Sequence, residues 1–300
     1  MIVRDLAELS ALRGAIRGLS LRTQRPAMAQ LQGGHRSAHR GRGLEFEEVR
    51  LYAPGDDTRN IDWRVTARRG RTHTKLFREE RERPVWLVAD LHSGLYFGSR
   101  RQFKSAVLLR AAAMLGWVAA LGGDRVGAVI SESSAVPKIF SPRAREAGVL
   151  PILQALLEAQ PHAPGTEVNG NLFTAISTLR PLLQPGSLVL LLSDFANLDP
   201  ATEDILASAS IHNECRLLWI TDELESIGLP KGNFQVGLPD RQWWMNGEKT
   251  RSQWQHIWET RKEKLSGLSM RLNLPISRLD TNDDVIERMV TLLREPKWVS

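Results

Sequence analysis

Runs of consecutive apolar residues alternate along most of this chain with longer segments whose apolar positions recur every three or four residues. Val85–Ala89, Arg125–Ile130, Lys138–Phe140, Leu188–Leu192, Arg216–Ile220 and Pro275–Leu279 have the length and apolar content of strands. Between them, helical spacing predicts helices over Gln102–Leu121, around Ile152–Leu157, over Leu172–Leu179 up to Pro181, over Gln253–Leu265 and over Val285–Leu293. Asp199 followed by Pro200 predicts an N-cap and the first position of one more helix. Alternating strands and helices predict an α/β fold with a mostly parallel, Rossmann-like sheet covered on both faces.

Upstream the period changes to two. Val49 and Leu51, then Ile61, Trp63 and Val65, then Thr72, Thr74 and Leu76, with turn residues at Pro54-Gly55-Asp56-Asp57, predict a short antiparallel ribbon. The expected organisation is a basic N-terminal arm over 1–44, a β-ribbon extension over 45–83, and the α/β domain with a helical C-terminal extension over 84–300. No internal repeat interrupts it.

Charge sharpens the view of the arm. The net charge is +6, and residues 1–44 hold eight arginines against Asp5 and Glu8, so the excess sits there. Arg36, Arg40 and Arg42 are positioned to grip phosphates. No aromatic residue interleaves them to stack on bases, and docking on the protein's own carboxylates is the plainer expectation. The longest uncharged apolar stretch, Ala111–Gly123, falls short of a bilayer span. With a single cysteine, Cys215, and no leader-like start, a cytoplasmic location without a membrane span is expected.

The candidate chemistry sits where strands end. Leu-Val-Ala-Asp90, Leu-Leu-Ser-Asp194 and Trp-Ile-Thr-Asp222 each carry an apolar strand into an aspartate. In an open α/β sheet, ligands bind beyond these carboxyl ends, at the point where strand order reverses. For Asp222, which precedes Glu223-Leu224-Glu225, helix capping is the expected role.

Asp90-Leu-His-Ser-Gly, Gly165-Thr166 and Ser193-Asp194 resemble, in order and context, the metal-ion-dependent adhesion site of von Willebrand factor type A domains. The run Gly41-Arg-Gly-Leu-Glu-Phe-Glu-Glu-Val-Arg-Leu-Tyr-Ala-Pro-Gly-Asp-Asp-Thr-Arg-Asn-Ile-Asp-Trp-Arg-Val-Thr-Ala-Arg, with Lys75, Glu80 and Phe97-Gly98-Ser99 after it, resembles the bacterial domain of unknown function 58 family over about residues 33–200. The resemblance implies a type A fold with an N-terminal extension and a working association with MoxR-type AAA+ ATPases.

The adhesion-site pattern is degenerate. His92 and Gly94 stand where that site has serines, so two oxygen ligands are missing, and Mg²⁺ needs near-ideal oxygen coordination. An imidazole suits a transition metal better. The expectation is no metal and no cofactor, with Asp90, His92, Ser93, Thr166 and Asp194 kept as a partner-binding crevice.

The ribbon carries Arg42, Glu45, Arg50, Asp56, Asp57, Arg59, Asp62, Arg68 and Lys75, a nearly balanced set expected to pair internally or to dock a partner. Trp243, Trp244, Trp254 and Trp258 crowd into sixteen residues. Core packing is their expected role, and an exposed member would be a contact for a partner. The chain has no phosphate-loop, nucleophile-elbow, zinc-peptidase or Cys-x-x-Cys motif. The expected function is therefore a non-enzymatic adaptor acting with a MoxR-type AAA+ ATPase or its protein client. The alternative is a nucleic-acid-binding protein using the arginine arm, with a hydrolytic metal centre from Glu45, Asp62 and Lys75.

Overall fold

A computed structural model describes residues 2–21, 44–53, 56, 58–79, 82–133, 135–166, 170–238 and 241–295. The chain divides into two compact units, residues 1–27 with 83–300 and residues 28–82.

The first unit begins with helix α1 (Leu6–Ala11), capped by the Asp5 carboxylate on the Glu8 N–H. The expected arm is corrected over its first 21 residues: Val3, Leu9, Leu12, Ile16 and Leu21 are buried and join the main core. Apolar spacing overrides the charge there. The side-chain amide of Gln160 bonds both the N–H and the C=O of Val3, and Glu8 and Glu146 take Arg110 and Arg13. Arg36, Arg40 and Arg42 lie outside the described residues.

The second unit pairs β1 (Leu44–Leu51) antiparallel with a later strand, as the period-two pattern predicts. Its middle segment is corrected: Trp63–Arg69 forms helix α2 and not a strand, and only Ile61 makes an isolated bridge, to Thr74. The Asp62 carboxylate accepts from the Arg64 and Val65 N–H groups, and Gly70, at φ +67°, closes the helix in the left-handed region. Those two caps outweigh the β-branched alternation. The partner of β1 is β2 (His73–Glu79).

From Arg83 onward the chain builds a three-layer α/β/α domain. In order come β3 (Pro84–Leu91), α3 (Lys104–Leu121), β4 (Arg125–Glu132), β5 (Lys138–Ala144), α4 (Glu146–Ala159), α5 (Leu172–Leu179), β6 (Leu188–Ser193), α6 (Pro200–Ser210), β7 (Glu214–Thr221), α7 (Glu223–Ile227), β8 (Asn233–Leu238), β9 (Arg241–Asn246), α8 (Gly247–Leu272), β10 (Ile276–Asp280) and α9 (Val285–Arg294). The central sheet has the order β10-β7-β6-β3-β4-β5, parallel except for β5.

Side chains of successive strand residues point to opposite faces, so each central strand feeds two cores. Val85, Leu87 and Ala89 pack with α1, α3, α4 and α9, while Trp86 and Val88 pack with α5, α6 and α8. Both faces are covered, which is why these strands read as uninterrupted apolar runs. Helix α3 is long and apolar enough to cross a membrane, yet fifteen of its eighteen residues are buried inside this fold. The β8–β9 hairpin is an element that the strand assignments from sequence do not include.

Candidate functional site

Strands β3 and β6 are neighbours in parallel register, so the aspartates at their carboxyl ends meet. Asp90, His92, Lys104 and Asp194 are 2%, 3%, 2% and 4% exposed. The Asp90 carboxylate accepts from the Ser193 hydroxyl at 2.8 Å and from the Asn171 N–H at 2.9 Å. Asp194 accepts from the Ala196 N–H at 3.0 Å, and His92 Nε2 lies 3.4 Å from its Oδ1. The indole N–H of Trp219 holds the Asp194 carbonyl at 3.0 Å.

Lys104 completes the cluster and is the residue that strand-end reasoning misses. Its Nζ stands 3.2 Å from Asp194 Oδ2 and 2.6 Å from Glu225 Oε1, and Arg261 reaches Glu225 at 3.4 Å. The signal in the sequence is a lysine at the first position of a long apolar helix. A cation there opposes the helix dipole and requires an anionic partner from elsewhere in the fold. Glu225 also closes a capping box with Asp222 on α7. Asp222 therefore has the capping role expected of it, besides accepting from the Ser99 N–H at 2.7 Å.

Burial shapes the protonation of all four groups. Burial pushes the Asp90 carboxyl up, against the opposing pull of His92 and the Ser193 hydroxyl. Burial alone would raise Asp194 as well, but the Lys104 ammonium and the adjacent His92 imidazole hold it far below the usual carboxylate range. Burial would lower His92 and Lys104, and the facing carboxylates override it and raise both.

A raised His92 pKa gives the folded state extra protons above pH 6.5, the ordinary imidazole value. Its contribution to stability is complete below pH 6.5 and is lost as pH rises through the folded value. The raised Asp90 acts in the same direction, from 3.8 upward. The urea midpoint of the native protein is expected to fall as pH rises above 6.5, with a shallower fall in His92→Gln. An identical slope in the two proteins would show that His92 does not carry the effect.

Not every expected site residue converges. Ser93, half-buried, opens the turn Ser93–Leu95 beneath the Gly165 backbone, where an added Cβ would lie 2.8 Å from its own. Thr166 is corrected: it is exposed and bonds neither carboxylate, because its loop delivers Gly170 and the Asn171 N–H to Asp90 instead. Of the residues expected to form a crevice, Asp90, His92 and Asp194 are buried, Ser93 is half-buried and Thr166 is exposed.

The ribbon's charges pair locally. Arg50 meets Asp56 at 2.7 Å and Lys75 meets Asp62 at 3.7 Å, both within the second unit. The Ala53 N–H, with Arg50, lowers Asp56; the Val65 N–H and Lys75 lower Asp62. Arg59 and Arg68 are exposed, Glu45 pairs by backbone register with Arg78, and Arg42 and Asp57 lie outside the described residues. Among the described residues no group of three or more His, Cys, Asp or Glu side chains is placed to hold a metal.

The tryptophans divide. Trp258 is buried and stacks on Trp219 with ring centroids 4.8 Å apart, Arg278 lying over its ring. Trp243 and Trp244, on β9, are 51% and 72% exposed.

The family described as Protein of unknown function DUF58 matches residues 48–261. The chain belongs to this family. This DUF58 protein is 33% identical over 184 residues to uncharacterized protein Rv1480 of Mycobacterium tuberculosis and equally to uncharacterized protein Mb1516 of Mycobacterium bovis. Each alignment covers 61% of this chain and 57% of the relative, so the chain spans little more than half the length of these relatives.

Solved structures similar to the DUF58 chain include the conserved hypothetical protein BatB of Bacteroides thetaiotaomicron. That match has a TM-score of 0.40 at 10% identity and covers 70% of this chain and 96% of that one. An aerotolerance-related membrane protein of Bacteroides fragilis matches with a TM-score of 0.41 at 10% identity, covering 71% and 98%. This neighbour and one from Vibrio fischeri are described as membrane and membrane-spanning proteins, against the cytoplasmic expectation. A cysteine count bears on redox environment and not on membrane association.

Proposed function

We propose that this DUF58 chain is a non-enzymatic interaction module with a von Willebrand factor type A-like domain, acting as an adaptor for a MoxR-type AAA+ ATPase or its protein client. The observation that carries the reading is the pair Trp243 and Trp244, adjacent on one hairpin strand and both largely exposed. Large exposed aromatics are the residues most often found as anchors of protein interfaces.

The strand-end cluster supports the same reading by its chemistry. A type A resemblance implies Mg²⁺, and the residues present do not fit it: His92 and Gly94 replace hydroxyl ligands, Thr166 does not reach the carboxylates, and the Lys104 ammonium already neutralises Asp194. Lys104 is engaged by both Asp194 and Glu225, and His92 lies buried with its Nε2 3.4 Å from Asp194. On this reading the cluster is a rigid, internally neutralised floor that fixes the loops above it.

Co-purification with a MoxR-type ATPase from the same organism tests the proposal. The native chain is expected to retain the ATPase, and the double variant Trp243→Ser, Trp244→Ser to bind it about tenfold or more weakly at unchanged melting temperature. Equal retention by the two proteins would remove the tryptophans from the interface. Failure of the native chain where unrelated type A proteins succeed would remove the adaptor role.

A further inference from the structure

A cavity of about 530 Å³ lies between the loop after β3, helix α7 and the first turns of α8, at the foot of the tryptophan hairpin. Its polar wall contains Arg100, Glu223, Arg251 and Gln255, and its apolar wall contains Leu224, Ile227 and Pro230. Gly228, at φ +75°, ends α7, and a Cβ built on it would lie 3.5 Å from the Arg251 Cα. That close approach brings the end of α7 against Arg251.

The charges in this wall are unequal in their commitments. Arg100 is mostly exposed and pairs with Glu223 at 3.5 Å, and Glu223 also accepts from the Asn282 side chain at 2.8 Å. Arg251 is half-buried, and its Nε is shut off from solvent without a hydrogen-bond partner. Arg251 also lines the cavity, and its guanidinium carries no ion pair among the described residues, so an acceptor bound there meets an uncommitted cation. Two arginines and one glutamate leave the wall with one net positive charge. That balance suits a monoanion better than a dianionic phosphate, and the planar guanidinium fork matches a carboxylate.

We infer that this cavity binds a carboxylate carried on an apolar stem, the oxygens against Arg251 and the stem against Leu224, Ile227 and Pro230. Two sources share that chemistry, the free C-terminus of a peptide ending in an apolar residue and a small organic acid. The site does not depend on the ATPase being the partner, so its failure and the failure of the adaptor reading are separable.

Ligand-observed NMR on the full chain tests it, with N-acetyl-leucine, N-acetyl-leucinamide, acetyl-Ala-Ala-Leu as acid and as amide, and inorganic phosphate as probes. Both acids are expected to bind, with each amide at least about tenfold weaker. Arg251→Gln is expected to lose acid binding by a similar factor, and Arg251→Lys to keep part of it. Tighter binding of the tripeptide than of N-acetyl-leucine assigns the site to a chain end; equal binding assigns it to a small acid. Acid and amide binding alike, no binding of either acid, undiminished binding by a folded Arg251→Gln, or phosphate competing as well as the acids would each overturn the inference. If Arg251→Gln does not fold, the acid–amide comparison on the native protein decides.

Discussion

Lys104→Met is expected to lower the unfolding free energy by about 3–5 kcal/mol, the cost typical of removing one partner from a buried ion pair. The substitution keeps most of the side-chain volume and removes the charge, leaving Asp194 buried opposite only His92. A typical domain holds about 5–15 kcal/mol in total, so this single change is expected to shift urea unfolding strongly. The double variant Lys104→Met, Asp194→Asn is expected to recover part of the loss, because Asp194 is no longer an uncompensated buried charge and Glu225 keeps Arg261. Two losses that simply add would show that lysine and aspartate do not act as a pair. A loss under about 1 kcal/mol for Lys104→Met would mean that water reaches the ammonium, as at a surface bridge.

Gly170→Ala is the second large effect, expected to cost about 2–4 kcal/mol from overpacking and a lost hydrogen bond together. A Cβ built on Gly170 falls inside the Asp90 carboxylate, which is buried and cannot move aside without leaving Ser193. Relief requires the loop to retreat, and the Asn171 N–H then leaves Asp90. Gly165→Ala is the contrast: its Cβ would meet the Cβ and Oγ of the half-buried Ser93 at 2.8 and 2.9 Å and no buried carboxylate, and a smaller loss is expected. Equal tolerance of both substitutions in urea titrations would show that the loop over Asp90 is loosely held.

The strands and the convergence of Asp90 with Asp194 were legible because both follow from local pattern. An apolar run ending in aspartate marks a strand and its rim, and parallel winding brings the rims together. Asp199 and Asp222 were legible as caps for the same local reason. What local pattern cannot reach is pairing across long separations. Lys104 meets carboxylates 90 and 121 positions away, and only its awkward place at a helix N-terminus announces that it must be paired. Thr166 illustrates the reverse error, since a loop's order in the chain does not say which of its residues turns inward. Trp63–Arg69 alternates like a strand, yet Asp62 and Gly70 cap it as a helix, so the end signals deserved more weight than the period. Phe234, Val236 and Leu238 alternate ahead of Pro239-Asp240, which was enough to expect the β8–β9 hairpin that exposes Trp243 and Trp244.

Lys104 sets a buried positive charge against Asp194, and that internal charge stands in place of a bound cation. Thermal unfolding of native, Lys104→Met and Asp194→Ala proteins across Mg²⁺, Mn²⁺ and Zn²⁺ concentrations measures this directly, because an ion that binds the folded form raises its melting temperature. The native melting temperature is expected to rise with none of the three ions. A clear rise with Mg²⁺ in the native protein that Asp194→Ala abolishes would contradict it.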